Sequence, residues 1–345
     1  MKKKRVLILG GAGFIGLGIA KYLGENKNYN ITIADIFSPG QKDADFDQVV
    51  SDHSIKVIKG DFTDPEMFEK LDNNYDYVYM LASVVGVNRC IEEPHEVIRI
   101  NTALIQNSLE WITDNNIGKV LFSSSSECYA ATTDTFNYPV PTPEKVPLSI
   151  SEIGHPRFTY AVTKMLGESA FLSYGKEYRF PVTIVRYQNI FGPRMGFKHA
   201  IPHLVQRFYE GQNPFKIYGA DQTRAFCYIT DASEGTVLAL ENDNSDQEIY
   251  HMGSPVEITI EELTKAVGDM MNYTGEYVSA PTYPGSVSRR CPDISKSKKH
   301  LGYSPKVSWK EGLKETVLWY TNFYRSGKQI YSGGFKAPEE LSYQG

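Results

Sequence analysis

The sequence predicts an α/β fold in which a doubly wound parallel sheet is followed by a smaller carboxyl-terminal region. Short apolar runs alternate with stretches of helical periodicity, and runs that are apolar throughout are typical of strands buried on both faces of a sheet. A glycine-rich turn follows the first run, and hydrophobic residues make up 41% of the 345-residue chain, as in soluble globular proteins. The runs predicted to be strands are residues 6–9, 31–34, 55–58, 77–81, 119–122 and 182–186.

The charge and cysteine content exclude several classes of protein. A formal net charge of -5 provides no basic surface for nucleic acid. The four cysteines are far apart and form no Cys-x-x-Cys pair, so neither a zinc site nor a disulfide framework is indicated. The apolar run after Arg5 ends at Gly10, which favours a first strand over a signal peptide, and no run approaches the roughly 20 residues that span a bilayer. We therefore expect a cytoplasmic protein with no bound metal and with neither nucleic acid nor a membrane as partner.

The turn after the first run has the spacing Gly-x-x-Gly-x-x-Gly, formed by Gly10, Gly13 and Gly16. Glycine permits a tight turn and a close approach of the backbone to a pyrophosphate, while free amides at a helix start face its oxygens. Phe14 and Ile15 lie in the first turn of a helix predicted to run to about residue 23. The strand, turn and helix together predict a dinucleotide-binding Rossmann unit, with a purely structural glycine turn as the simpler alternative.

Acidic and small residues follow the next strands. Asp35 ends the second strand, where it would accept hydrogen bonds from an adenosine ribose and repel a 2′-phosphate, which favours NAD over NADP; a turn residue is the alternative. Asp61 ends the third strand beside Phe62 and either meets the adenine amino group or caps the helix that follows. Leu81-Ala82-Ser83 ends the fourth strand and is expected to run beneath the cofactor, although small residues are also packing choices.

Tyr160 and Lys164 are four residues apart, so on a helix both side chains can point into the same cleft. Bringing a phenol pKa from ~10 toward ~7 requires about 4 kcal/mol of differential stabilisation. The Lys164 ammonium and an oxidised nicotinamide would both favour the phenolate. The pair therefore predicts a general base that takes a proton from an alcohol while its hydride leaves, although the same spacing is also common on solvated helices.

An ordered set of motifs extends along most of the chain, from residue 9 to about residue 305. The motifs are Gly10-x-x-Gly13-x-x-Gly16, Asp35, Gly60-Asp61, Leu81-Ala82, Asn101, a serine run, Tyr160-x-x-x-Lys164, Arg186-Tyr187-Gln188-Asn189, Phe191-Gly192-Pro193-Arg194, Arg224 and Arg290-Cys291-Pro292-Asp293. In this set the sequence resembles the extended short-chain dehydrogenase/reductase family, specifically its nucleotide-sugar epimerases, dehydratases and decarboxylases.

The resemblance implies how the chain is divided and what it binds. It implies an NAD-binding Rossmann domain over residues 1–190, with a return of the chain at about 224–252, and a nucleotide-sugar-binding region over residues 191–345. Asn101 is implied to join the cofactor site. The implied partners are a nucleotide diphosphate sugar and a second copy of the chain, packed through the helices around residues 94–115 and 158–178.

A run of four serines ends at Glu127 and suggests the kind of reaction. Aligning Tyr129 with the family's Val-Tyr-Gly ending places Ser125 at the catalytic hydroxyl, where it would hydrogen-bond the substrate oxygen and help to orient Tyr160. Family 4,6-dehydratases commonly carry Asp-Glu where this chain has Ser126-Glu127, and a serine is a poor proton donor beside a carboxylic acid. The Ser-Glu pair also resembles UDP-glucuronate decarboxylases. Glu127 is expected to move a proton beside a new ketone or to anchor a sugar hydroxyl, with a buried structural carboxylate as the alternative.

Polar residues of the carboxyl-terminal half match family positions that contact the nucleotide diphosphate. Arginine suits this role because its planar fork gives paired, charge-assisted bonds to phosphate oxygens; a surface ion pair is the alternative. Segments 85–89 and 194–199 are expected to border the sugar and the base respectively, and segment 131–156 to form a long loop over the cleft, either plain surface or a lid. The predicted substrate-binding residues are Val87, Arg89, Ser126, Asn189, Lys198, Arg224 and Arg290.

The resemblance implies NAD-dependent oxidation of the C4 hydroxyl of a nucleotide diphosphate sugar to a 4-keto sugar. The implied catalytic residues are Ser125, Tyr160, Lys164 and Glu127. The absence of the Asp-Glu pair favours 4-dehydrogenation with release of the 4-keto sugar. The chain is also similar to GDP-heptose 4-dehydrogenases of capsule polysaccharide biosynthesis. A 4-epimerase and a UDP-glucuronate-type decarboxylase would use the same intermediate. A dinucleotide-sensing protein without turnover is the alternative from another class, and the presence of both Tyr160 and Lys164 disfavours it.

Overall fold

The computed structural model describes residues 2–38, 40–282 and 286–327. The strands in these residues are β1 (Lys4–Leu9), β2 (Tyr29–Asp35), β3 (Lys56–Lys59), β4 (Asn74–Met80), β5 (Asn116–Ser125), β6 (Val182–Tyr187), β7 (Ile190–Phe191), β8 (Phe215–Tyr218), β9 (Thr223–Ala225), β10 (Cys227–Tyr228), β11 (Glu248–Met252), β12 (Glu257–Thr259), β13 (Tyr277–Ala280) and β14 (Arg289–Arg290).

Helices connect most of these strands. They are α1 (Phe14–Glu25), α2 (Ala44–His53), α3 (Val87–Glu92), α4 (Pro94–Thr113), α5 (Thr132–Phe136), α6 (Thr159–Tyr178), α7 (Ala200–Tyr209), α8 (Ile229–Glu241), α9 (Ile260–Met270), α10 (Ser295–Leu301) and α11 (Trp309–Arg325). Short 3₁₀ helices span Pro65–Lys70, Ser126–Tyr129 and Pro156–Phe158. Within the described ranges, none of the helices combines the length and the apolar character needed to cross a bilayer.

The main sheet has seven parallel strands in the order β11-β6-β5-β4-β1-β2-β3. Each of the six predicted runs forms one of its strands, which confirms the doubly wound parallel sheet. The register places Leu9 of β1 opposite both Ala34 of β2 and Met80 of β4. The carboxyl ends of these strands therefore meet at one edge, where ligands of such sheets bind.

Helices cover both faces of the sheet, because its strands are apolar on both sides. One face packs against α1 and α8, in a cluster that includes Ile8, Tyr79, Leu121, Ala20 and Val237. The other face packs against α4 and α6, in a cluster that includes Leu7, Val78, Phe122, Leu109 and Phe171. The helix predicted to start at Phe14 and the helices around residues 94–115 and 158–178 are α1, α4 and α6.

A separate core lies in the carboxyl-terminal part of the chain. It joins α7, α9 and α11 and includes Phe191, Val205, Phe215, Leu263 and Leu313. The amphipathic helix predicted from about residue 309 to 324 is α11, which begins with a capping box between Ser308 and Glu311. A domain boundary at about residue 190 stays a prediction.

The segment 131–156, predicted as a long loop, contains the short helix α5 and is tied to the carboxyl-terminal half. The Thr142 amide donates to the Cys291 carbonyl at 2.9 Å, and the Asp293 amide donates to the Thr142 carbonyl at 2.8 Å. The Glu144 carboxylate accepts from the His251 amide at 3.0 Å. These bonds hold the middle of the segment beside the strand that carries Arg290; its role as a lid stays a prediction.

Candidate functional site

Three successive serines at the end of β5 each lie beside a residue of α6. The Lys164 ammonium donates to the Ser123 carbonyl at 2.7 Å and to its hydroxyl at 3.3 Å. The Ser124 hydroxyl donates to the Glu168 carboxylate at 2.5 Å. The Ser125 hydroxyl accepts from the Glu127 amide at 3.2 Å and lies near enough to the Tyr160 phenol to act against the rise in its pKa. Because residues 160, 164 and 168 are four apart, they lie on one face of α6 and face the end of the strand. The structure therefore brings Ser125, Tyr160 and Lys164 together as predicted.

Burial has the largest effect on the pKa of both Tyr160 and Lys164. Burial raises the pKa of the Tyr160 phenol, and the nearby Cys128 thiol adds to the effect, whereas the Ser125 hydrogen bond opposes it. Burial lowers the pKa of Lys164 to about 8. The ammonium lies 5.6 Å from the centre of the Tyr160 ring and is directed at Ser123. Without NAD, burial of the phenol dominates its pKa, and the lowering of that pKa by Lys164 together with NAD stays a prediction.

The glycine-rich turn lies at the same edge of the sheet. Gly10 has a φ of 82°, and a Cβ there would come within 2.6 Å of the Ala82 amide nitrogen, so only glycine fits. A Cβ on Gly16 would come within 2.7 Å of the Gly11 Cα. Gly13 caps α1 without a side-chain hydrogen bond. Amides of the first helical turn are therefore available to a phosphate, which fits the predicted pyrophosphate cradle.

Asp35 organises the backbone of this cradle. Its carboxylate accepts from the Ala12 amide at 3.0 Å and from the Phe37 amide at 2.9 Å. Burial raises its pKa, although these amide bonds oppose the rise. In α1, which follows the glycine-rich turn, Phe14 packs toward the carboxyl-terminal core and Ile15 toward the sheet. Each carboxylate oxygen has a second lone pair, so Asp35 retains acceptor capacity for the predicted ribose contact.

Asp61 and Phe62 lie beyond β3. The Asp61 carboxylate accepts from the Thr63 amide at 3.0 Å and from its hydroxyl at 2.8 Å. The following helical turn is capped by Asp64 instead, so the alternative of Asp61 as its cap is wrong. The Phe62 side chain is buried against Phe68, so it faces the core rather than the cleft.

Asn101 joins the segment after β4 to α6 through side-chain hydrogen bonds. Its side chain accepts from the Val84 amide at 2.7 Å and donates to the Val84 carbonyl and to the Thr163 hydroxyl, each at 3.1 Å. It thus fastens the segment containing Ser83 to α6, three residues from Tyr160. Its direct contact with the cofactor stays a prediction.

Charged residues of the carboxyl-terminal half meet Glu127 on the other side of the cleft. The parallel pairing of β9 with β14 sets Arg224 opposite Arg290. Arg290 forms an ion pair with Glu127 and lies 3.5 Å from the Ser126 hydroxyl. Burial alone would raise the pKa of Glu127, but Arg290, Arg157 and Arg224 outweigh it and hold the pKa below its ordinary value. Glu127 is therefore an ionised carboxylate at neutral pH, able to accept a proton but not to donate one.

Sequence and structure comparisons identify the family. A model of the NAD dependent epimerase/dehydratase family matches residues 6–253. The chain belongs to this family. The UDP-N-acetyl-alpha-D-glucosaminuronate decarboxylase of Bacillus cytotoxicus is 33% identical over 328 residues, which cover 92% of this chain and 98% of that protein.

Solved structures of similar proteins agree with this assignment. The UDP-glucuronic acid 4-epimerase from Bacillus cereus, in complex with UDP-glucuronic acid and NAD, is 25% identical with a TM-score of 0.81, covering 93% of this chain and 100% of that chain. The UDP-N-acetylglucosamine 4-epimerase from Methanobrevibacter ruminantium, in complex with UDP-N-acetylmuramic acid, is 27% identical with a TM-score of 0.81, covering 94% and 100%. NAD is thus the cofactor of this member of the epimerase/dehydratase family.

Sequence reasoning missed Arg157, which precedes the catalytic helix of this family member. The Arg157 Nε and the Arg290 Nη2 are buried and have no hydrogen-bond partner among the described residues. Burial lowers the pKa of Arg157, while the charge of Glu127 raises it. Buried donors without partners indicate a place where a ligand supplies the acceptors. No motif includes Arg157, and its sequence position gave no reason to predict it.

The remaining predicted substrate-binding residues have partners within the chain. Asn189 has a φ of 43° and donates to the Ala225 carbonyl at 3.0 Å, which joins the ends of β6 and β9. Arg89 pairs with Glu93 at 2.9 Å, and the Lys198 ammonium lies 3.9 Å from Glu92, which joins α3 to the carboxyl-terminal half. The Val87 side chain lies outside the described part of the chain.

One residue of segment 194–199 is placed differently from the prediction. Arg194 was expected to border the substrate base, but its side chain lies against the glycine-rich turn and donates to the Ala12 carbonyl at 3.3 Å. It also forms an ion pair with Asp43 at 2.6 Å. Arg194 has a φ of 70°, and its guanidinium group is held by Asp43, Gln41 and Ala12 rather than pointing toward a substrate base.

Proposed function

We propose that this enzyme oxidises the C4 hydroxyl of a nucleotide diphosphate sugar and so forms a 4-keto sugar. The observation that supports this most directly is the position of Ser125 beside the Tyr160 phenol, with the Lys164 ammonium buried at the same sheet edge, which also carries the glycine-rich turn. Tyr160 takes the hydroxyl proton and Ser125 shares the hydrogen bond to that oxygen. NAD, when bound, supplies the acceptor for the C4 hydride and a positive charge that favours the phenolate.

Three arginines support a diphosphate as part of the substrate. Burial, followed by the charge of Arg290, lowers the pKa of Arg224 to about 9. Arg157, Arg224 and Arg290 face Glu127, and Asp134 is a second carboxylate that acts on Arg224 and Arg290, so the guanidinium groups outnumber these two carboxylates. A ligand diphosphate would neutralise that excess, and guanidinium groups suit its oxygens.

The proposal is tested by following the nicotinamide signal and the product mass together. The purified enzyme is offered UDP and GDP sugars, including GDP-heptose and UDP-glucuronate, with protium or deuterium at C4. We expect deuterium from C4 to appear on the nicotinamide. Hydride or deuteride arriving from any other carbon would overturn the assignment of C4. An unchanged product mass identifies epimerisation, loss of two hydrogens oxidation, loss of water dehydration, and loss of carbon dioxide decarboxylation.

Decarboxylation of a nucleotide-linked uronic acid is the second candidate. The relatives named above include a decarboxylase and an epimerase of uronic acid sugars. The ionised state of Glu127 and the surrounding arginines also suit an acidic sugar more than a dehydration, since expelling a C6 hydroxyl requires an acid at that position. Retention of the carboxyl group by a 4-keto uronate at the active site would remove this candidate.

Arg157→Gln should raise KM for the nucleotide sugar by about tenfold to hundredfold and change kcat much less, because a charge-assisted hydrogen bond contributes about 1.5–3 kcal/mol. Steady-state kinetics measures both constants. Arg289→Gln is the matched control, since Arg289 is exposed and pairs with Glu257 outside the cleft. An unchanged KM in Arg157→Gln would show that the substrate does not reach this arginine.

We also propose a homodimer formed through α4 and α6. Ile98 on α4 is 44% exposed, and Val162 and Leu166 on α6 are 36% and 47% exposed, which leaves an apolar stripe in the monomer. Leu166→Glu should convert the dimer into a monomer, as measured by light scattering at micromolar concentration. The control is Leu318→Glu, because Leu318 is 55% exposed on α11, away from this stripe. A monomeric parent protein would exclude the dimer.

A further inference from the structure

Arg194 is a buried arginine that no step of the proposed reaction uses. Its φ of 70° is uncommon for a residue with a side chain, and such a conformation persists only where the surroundings hold it. The side chain is 9% exposed. Its Nε donates to the Asp43 carboxylate at 2.6 Å, and its Nη2 donates to the Gln41 carbonyl at 2.5 Å. Both Nη groups also lie 3.3 Å from the Ala12 carbonyl.

These contacts join three parts of the chain around the cofactor site. Ala12 lies in the glycine-rich turn, and its amide donates to Asp35. Gln41 and Asp43 belong to the segment that follows β2, and the other carboxylate oxygen of Asp43 accepts from the Phe46 amide at the start of α2. Arg194 itself belongs to the turn after β7. One guanidinium therefore holds the glycine-rich turn, the segment after Asp35 and the carboxyl-terminal half in a single arrangement.

Two hydrogen bonds join α11 to residues close to Asp43 and Arg194 in the sequence. The Trp319 indole donates to the Asp45 carboxylate at 2.8 Å, and the Tyr320 hydroxyl donates to the Met195 carbonyl. These bonds fix α11 against α2 and against the turn after β7. They do not touch the glycine-rich turn, however, so only Arg194 connects the carboxyl-terminal half to Ala12 among the described contacts.

We propose that Arg194 is a positioning residue that retains NAD, because it closes the segment after β2 against the glycine-rich turn. The cofactor can leave only when the Arg194 contacts with Asp43, Gln41 and Ala12 open. The inference rests on the NAD site and not on the position at which the sugar is oxidised. It therefore has a direct readout in the absence of any sugar.

The test measures how fast NADH leaves the full-length protein. The protein is loaded with NADH, mixed with excess NAD, and followed by nicotinamide fluorescence. Arg194→Gln should release NADH about tenfold faster or more, since it removes a charge-assisted fork. Arg194→Lys should be intermediate, because it retains the charge facing Asp43 but cannot reach both carbonyls with a planar fork.

Asp43→Asn tests the same contact from the other side and guards against a folding defect in the Arg194 variants. Asparagine caps helices as well as aspartate does, so α2 should stay intact while the ion pair is lost and NADH release accelerates. Lys306→Gln is the control, because it breaks an exposed ion pair with Glu234 and should leave the release rate unchanged. If Asp43→Asn and Arg194→Gln both released NADH at the parent rate while the unfolding temperature fell, Arg194 would be a structural tie only and the proposal would be overturned.

Discussion

Tyr160→Phe is expected to reduce kcat for nucleotide-sugar oxidation by on the order of 10²–10⁴-fold, the usual contribution of general base catalysis. The variant removes the phenol oxygen that lies beside Ser125 and leaves the ring and α6 in place. Single-turnover measurement of nicotinamide reduction isolates this step. Binding of the sugar, measured by calorimetry, should change by no more than about tenfold, because a single neutral hydrogen bond contributes only about 0.5–1.5 kcal/mol.

The matched control is Tyr178→Phe, which changes an exposed tyrosine at the end of the same helix. It should turn over at the parent rate. Oxidation by Tyr160→Phe at the parent rate would remove Tyr160 as the base and with it the central assignment of the site.

The same chemistry gives the pH dependence a definite sign. The phenol is active as a base only when deprotonated, and burial raises its pKa, so the parent oxidation rate should rise with pH from the acid side. Lys164, whose pKa burial lowers to about 8, loses its positive charge above that pH. Part of the rise should therefore be lost above about pH 8 because the ammonium no longer supports the phenolate.

The sheet and the cofactor turn were predictable because their signals are local. Each of the six apolar runs overlaps a strand, and Gly10 marks a backbone conformation that other residues cannot adopt. The seventh strand, β11, was not among the predicted runs. It carries Glu248 and His251, so its pattern is not apolar throughout although His251 is fully buried.

The parts of the site that escaped prediction depend on contacts between distant residues. Arg194 and Asp43 are separated by 151 positions, and no pattern in one sequence pairs them. Arg157 faces Glu127 only because α6 packs against the end of β5. The serine run is an intermediate case: its composition indicated hydrogen bonding and Ser125 was assigned, but the pairing of Ser123 with Lys164 and of Ser124 with Glu168 required the structure.

The largest effect on stability is expected from replacing Arg186, the ion-pair partner of Glu168, whose carboxylate also accepts from Ser124. Glu168 and Arg186 form a buried ion pair with two bonds of 2.7 Å, from Nε to Oε1 and from Nη2 to Oε2. Arg186 also donates to the Glu144 carbonyl at 2.8 Å. Arg186→Met should lower the free energy of unfolding by about 3–5 kcal/mol, because it leaves a buried carboxylate without its cation. Urea unfolding of the cofactor-free protein measures this loss.

Two further variants separate the pair from a general effect of losing an arginine. Arg99→Met breaks an exposed pair with Glu96 and should leave the free energy of unfolding close to that of the parent protein. The double variant Glu168→Leu/Arg186→Met should recover most of the loss, since two apolar residues can replace a buried pair with little loss of stability. Activity should recover less than stability. The leucine side chain of the double variant offers no acceptor to Ser124, so the serine run loses one of its contacts with the helix that carries Tyr160 and Lys164. A loss below about 1 kcal/mol in Arg186→Met would show that the pair does not hold this helix.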